Sequence, residues 1–217
     1  MEIAAATSGK PGSTKAGSGV NDLPRTTWHL PQFRTIVLIA SATLLAWLLL
    51  QVVHEAGHVL AAWLTGGTVQ RVVLHPMSIS RTDVDPNPQP LMVAWAGPIF
   101  GTLAPLAIWG VAVGLRLPLA WITRFFAGCC LIANGLYLGV GSFGAIGDAG
   151  DIVRLGSPVW TLWLFGLTTT PAGLWLWNGL GPKFGLGPQA EQVSSRLALG
   201  CLAALLATCG IMLITSP

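Results

Sequence analysis

The stretch Ile36–Leu64, IVLIASATLLAWLLLQVVHEAGHVLAAWL, decides the fold. As a helix it is roughly 43 Å long at 1.5 Å per residue, enough to cross a hydrocarbon core of about 30 Å with length to spare. It ends at Gly66-Gly67, the glycine stop expected of a helix C-terminus. Within Gln51–Trp63 four polar side chains, Gln51, His54, Glu55 and His58, interrupt the apolar run.

The rest of the chain has the same character. Of 217 residues only 11 are Lys or Arg and 8 are Asp or Glu, 53% are hydrophobic, and the mean hydropathy is +0.67. Charged residues make up about 25% of an ordinary soluble domain. The 9% found here, with several apolar stretches of spanning length, excludes a soluble enzyme, a disordered chain and a nucleic-acid binder with a clustered basic face. An all-α integral membrane protein is expected, a bundle of about five transmembrane helices at 36–64, 91–115, 121–140, 159–177 and 197–214. The lipid bilayer is its first partner, and no nucleic acid is expected as another.

Residues 1–34 are rich in Gly, Ala, Ser and Thr and hold no apolar segment, so they read as a disordered polar tail ahead of a membrane-embedded domain over 35–217. Between the first two spans, Val69–Val84 clusters β-branched residues on either side of His75-Pro76, a pattern that predicts a β-hairpin. Asp85-Pro-Asn-Pro-Gln-Pro90 then breaks any regular structure. Cys129 and Cys130 are adjacent, and Cys201 and Cys209 share one apolar segment. They read as small buried hydrophobes with no disulfide framework. The small-xxx-small pairs Gly97/Gly101, Gly110/Gly114 and Gly135/Gly139 are expected to serve helix packing alone.

The chemistry lies in His54-Glu55-Ala-Gly-His58. Residues four apart on a helix lie one turn apart and about 40° around it, so the two imidazoles can converge on one ion while Glu55 projects beside them. This is the H-E-x-x-H arrangement, in which the histidines bind zinc (Zn2+) and the glutamate is general base towards the attacking water. Burial strengthens the reading. An ionisable group near the bilayer centre costs about 2.5–3.5 kcal/mol to insert, whereas zinc binding supplies on the order of 10 kcal/mol.

A catalytic zinc needs a third protein ligand and an open position. Glu2, Asp22 and His29 fall in the tail, Glu191 in a late loop, and Asp83 and Asp85 in the proline-rich connection. Asp148 stands apart, following span three within Ile146-Gly-Asp-Ala-Gly-Asp-Ile152, where small neighbours permit an irregular close approach. Asp151 is its main rival, and is better described as an N-cap acid ahead of a short helix over 151–155.

With these residues in view, the sequence resembles the site-2 protease family of intramembrane zinc metalloproteases. The resemblance rests on HEAGH within an apolar span, on Ala96-Gly97-Pro98-Ile-Phe-Gly101, similar to the family's Gly-Pro segment, and on Gly147-Asp148-Ala149-Gly150, similar to its Asp-Gly motif. It covers roughly residues 36–155. It implies zinc held by His54, His58 and Asp148, Glu55 as catalytic base, and a transmembrane protein substrate. It also implies a membrane-associated β-element, matched by the hairpin at Val69–Val84; in this length the expected form is a short one without a PDZ or CBS-type domain. The family's usual Asn-x-x-Pro ahead of its aspartate is missing, so no role is carried over to Asn134. Two rival readings are a catalytically silent relative that binds helices and an ion-binding or transport protein.

Under five-span alternation the N-terminal side carries Lys10, Lys15, Arg25, Arg34, Arg116, Arg124, Lys183 and Arg196, against Arg71, Arg81 and Arg154 opposite. That imbalance predicts a cytoplasmic N-terminus. The resemblance implies the reverse, and the orientation stays open.

Overall fold

A computed structural model describes residues 30–215. Its elements are α1 (Leu30–Leu64), β1 (Val69–Val73), β2 (Arg81–Val84), α2 (Pro90–Gly114), α3 (Ala120–Gly144), α4 (Gly147–Arg154), α5 (Val159–Trp177), a single 3-10 turn (Gly181–Phe184) and α6 (Ser195–Thr215). Four helices, α1, α2, α3 and α6, are long and apolar enough to cross a membrane. The chain is a multi-pass integral membrane protein. The fourth expected span, 159–177, forms as α5 on its expected residues but is not among those four, because Thr168-Thr169-Thr170, Pro171 and its tryptophans dilute its apolar content.

Several boundaries follow local chemistry. The helix α1 starts at Leu30 rather than Ile36, so the last residues of the expected polar tail are helical. Pro31 in the first turn accounts for this, since its fixed φ suits a helix start where its missing N–H is not needed. The rest of the expected tail lies outside the described residues. At the other end Gly66 adopts φ 78° and Gly67 N–H donates to Ala62 O at 2.7 Å, a glycine C-terminal cap. Pro90 opens α2 in the same way as Pro31.

The hairpin forms as expected, with Val69 opposite Val84, Arg71 opposite Asp83, Val72 opposite Thr82 and Val73 opposite Arg81; the register is irregular between Val69 and Arg71. Helix α1 packs on α2 and α6, and α3 packs on α2 and, most extensively, on α5. The α3/α5 contact is a glycine seam. A Cβ at Gly166 would lie 2.8 Å from Gly135 O and 3.1 Å from Gly139 Cα, and one at Gly173 2.7 Å from Gly128 O, so only glycine lets these backbones meet. Gly135/Gly139 is thus a packing pair, whereas Gly110 and Gly114 face open space and contribute no such contact.

Helix α4 is short and two-faced. Ala149 and Ile152 are fully buried with Ala94, Leu138 and Leu162, which ties α4 to α2, α3 and α5. Asp151 and Arg154 lie on its outer side, their side chains about half and three-quarters exposed.

Candidate metal centre

The two histidines of α1 are buried and their ring centroids lie 4.9 Å apart. Their setting depends on how closely α2 crosses α1. A Cβ at Gly57, inside the HEAGH run, would collide with Ala96 O and lie 2.8 Å from Phe100 Cβ. A Cβ at Gly97 would collide with the His58 imidazole and lie 2.8 Å from His54 Nε2, and one at Gly101 would lie 2.8 Å from Asn134 Nδ2. The Gly97/Gly101 pair, expected to serve packing alone, therefore also leaves the space in which both rings and Asn134 sit.

Each histidine is oriented through its Nδ1. His54 Nδ1 is 2.8 Å from Asn134 Oδ1, and Asn134 Nδ2 donates to Cys130 O at 2.9 Å. Because a carbonyl only accepts, that second bond fixes which way the Asn134 amide points, and His54 Nδ1–H must be the donor. His58 Nδ1 likewise donates to Val93 O at 2.7 Å. Both rings are left with Nε2 facing the same point, the arrangement that partners beyond the metal give to ligating histidines.

Asp148 completes the group. Its Oδ2 lies 2.8 Å from His54 Nε2 and 3.4 Å from His58 Nε2, and one ligand atom from each residue falls within 4.8 Å of the others. Burial works to raise the Asp148 carboxyl, but the hydrogen bonds and charges of His54 and His58 hold it well below the usual carboxylate range. With both Nδ1 atoms donating elsewhere, two imidazole lone pairs and a carboxylate oxygen would face one another at these distances. Such a set repels itself unless a cation stands between, either a proton on a ring or a metal ion. Tetrahedral zinc with bonds of about 2.0–2.1 Å separates its ligand atoms by roughly 3.3 Å, and the donor set of two nitrogens and one oxygen suits it. The residues present fit zinc.

The route that brings Asp148 here differs from the expected one. Asp148 is not on irregular backbone but in the first turn of α4, whose start is set by Ala145 in the left-handed region (φ 49°) and Gly147 (φ 52°). Asp148 N–H, free of helical bonding at this position, donates to the Tyr137 hydroxyl at 3.1 Å. Asp151 is not an N-cap. The helix begins four residues earlier than expected, which puts Asp151 one turn on, ion-paired with Arg154 at 2.5 Å and away from both histidines.

Glu55 is buried, and its Oε2 accepts a hydrogen bond of 2.6 Å from Thr82 Oγ1 on β2. Glu55, His54, His58 and Asp148 all line one cavity of about 850 Å³, walled on one side by β2 and rimmed by Arg81, Asp83, Asp151 and Arg154. Sequence reasoning missed Thr82 and Val93, whose parts are played across long sequence distances. Asn134 carried one signal, a lone amide in an apolar span.

The fold and this site define a membrane protein with a buried two-histidine, one-aspartate centre beside a glutamate. A model of the Peptidase M50B-like family matches residues 32–146, just over half of the chain, and the chain belongs to that family. The matched segment contains His54, Glu55, His58 and Asn134 and ends just before Asp148. Membership makes the chain a membrane peptidase in general. No curated protein and no solved structure matches it.

Proposed function

We propose that this chain is an intramembrane zinc metalloprotease that hydrolyses peptide bonds in membrane-embedded or membrane-proximal segments of other proteins. The observation that carries the reading is the convergence of His54 Nε2, His58 Nε2 and Asp148 Oδ2 in the cavity that Glu55 also lines. M50 peptidases are zinc enzymes by family, and the donor set supports the same metal here.

His54, His58 and Asp148 would hold the ion, with Asn134 and Val93 O fixing the rings. Zinc, when bound, supplies Lewis-acid polarisation of the scissile carbonyl and acidifies the attacking water. Glu55 accepts the proton of that water on Oε1, the carboxylate oxygen that Thr82 does not occupy, and passes it to the leaving amine. Substrate reaches the centre past β2. That strand lines the cavity and β1 uses only one of its edges, so the other can hold an unwound segment by strand addition.

The test is Glu55→Gln in purified, zinc-loaded protein acting on a transmembrane peptide. Gln keeps the volume but cannot take the proton, so cleavage should fall by about 10²–10⁴-fold while zinc content is unchanged. Cleavage at the wild-type level would remove Glu55 from its role as base, and no cleavage by the wild-type protein itself would remove the enzyme reading.

A further inference from the structure

Gln51 lies one helical turn before Glu55 on α1. It is 5% exposed, lines the same cavity, and neither its Nε2 nor its Oε1 has a hydrogen-bond partner among the described residues. A buried amide with both ends unpaired is the kind of group that folded proteins avoid, because each unsatisfied atom carries its desolvation penalty with no return. The other polar side chains of the centre are engaged, His54, Asn134, His58, Glu55 and Asp148 alike. An apolar residue at position 51 would fill the same helix position without that penalty.

We infer that Gln51 is a substrate-binding residue whose amide pairs with a main-chain peptide group of an unwound substrate segment in the cavity. The chemistry is complementary. A side-chain amide offers one acceptor and N–H donors, and a peptide group offers one donor and one acceptor. A substrate that stays helical has already used both within itself. A segment unwound in the cavity carries N–H and C=O groups that have lost their helical partners, each unfavourable while unpaired. Pairing them with Gln51 removes two sets of unsatisfied groups at once. The inference rests on the peptidase reading only for the nature of the ligand.

The probe is a leucine- and alanine-rich transmembrane peptide with a central Asn-Pro step, fluorescently labelled and mixed with zinc-loaded full-length protein in detergent. Binding is measured by anisotropy on Glu55→Gln protein, which holds the peptide without cutting it, with and without Gln51→Met. Met matches Gln in length and has no amide. Binding should weaken about tenfold in Gln51→Met, with zinc content unchanged and the unfolding temperature equal or higher, since an unsatisfied group has been removed. Among peptides N-methylated at successive main-chain positions, one should bind less well to protein with Gln51 and no less well once Gln51→Met is present, the non-additivity expected when the two groups are partners. Equal binding with and without Gln51→Met, a lowered unfolding temperature that tracks the loss, or N-methyl effects that simply add at every position would overturn the inference. The two readings fail separately. Peptide that binds through Gln51 but is never cut by wild-type protein defeats the protease assignment alone, and peptide that is cut but binds without regard to Gln51 defeats this one alone.

Discussion

Gly97 shows how one hydrogen atom can decide whether two histidines fit beside a neighbouring helix. It sits inside α2, where Gly→Ala normally gains roughly 0.5–1 kcal/mol of helix stability. Here the added methyl would collide with the His58 ring and press on His54 Nε2. The two effects act on different observables. Gly97→Ala protein is expected to keep its helical content and unfold within a few degrees of wild type when free of metal, while retaining less than a tenth of the bound zinc. Elemental analysis after gel filtration checks the second, and full zinc retention would show that the histidines do not need the space that Gly97 leaves. Asn134 makes the complementary point. Its partner His54 lies 80 residues away in sequence, and no local pattern announces such a pairing.

At the scale of elements, α4 carries the discriminating case. Its sequence GDAGDIVR sends Ala149 and Ile152 into the core and divides its two aspartates between different jobs. Asp148→Asn keeps size and hydrogen bonding but loses the charge that faces His54 and His58, so zinc affinity should drop at least tenfold and cleavage should be lost. Asp151→Asn removes only an exposed ion pair with Arg154, worth about 0–1 kcal/mol, and should leave zinc content within error. Isothermal titration of metal-stripped protein separates them, and zinc lost only in Asp151→Asn would reassign the third ligand. That Asp148 comes to lie beside the histidines was legible because it follows an apolar span among small residues. The helix around it was not, because its start depends on left-handed conformations at Ala145 and Gly147, and alanine does not advertise that conformation. The hairpin and α5 were legible from β-branched clustering and apolar run length. The interplay of Thr82 with Glu55 was not, since it follows from where the folded hairpin comes to rest on α1.

For the molecule as a whole, the packing sets which way each helix runs, and that bears on how many times the chain crosses. Leu38 and Ala42, near the start of α1, cluster with Leu180, Phe184, Val193 and Ala198. Further along α1, Leu48 meets Leu205 and Met212, so α6 runs parallel to α1. Helix α3 starts at the end where Trp177 stacks on Phe125 and finishes where Phe143 stacks on Trp163, so α5 runs antiparallel to it over its whole length. A chain that leaves α3 at the cavity end and begins α6 at the far end must return between them, and α5 is the only element available among the described residues. A crossing by α5 is compatible with its threonines and tryptophans, because Gly166 and Gly173 seat one side on α3 and Thr168 and Thr169 satisfy their hydroxyls on Leu164 O and Phe165 O. The count of eight Lys/Arg residues on one side against three on the other assumes five crossings. The same labelling of sealed vesicles reads both the crossing and which face is cytoplasmic. With the native cysteines replaced, Pro158→Cys and Gln189→Cys, both exposed and flanking α5, should react with a membrane-impermeant maleimide from opposite faces. Reaction of both from the same face would mean that α5 does not cross, and would place the start of α6 on the side of the cavity mouth, against the parallel packing of α1 and α6.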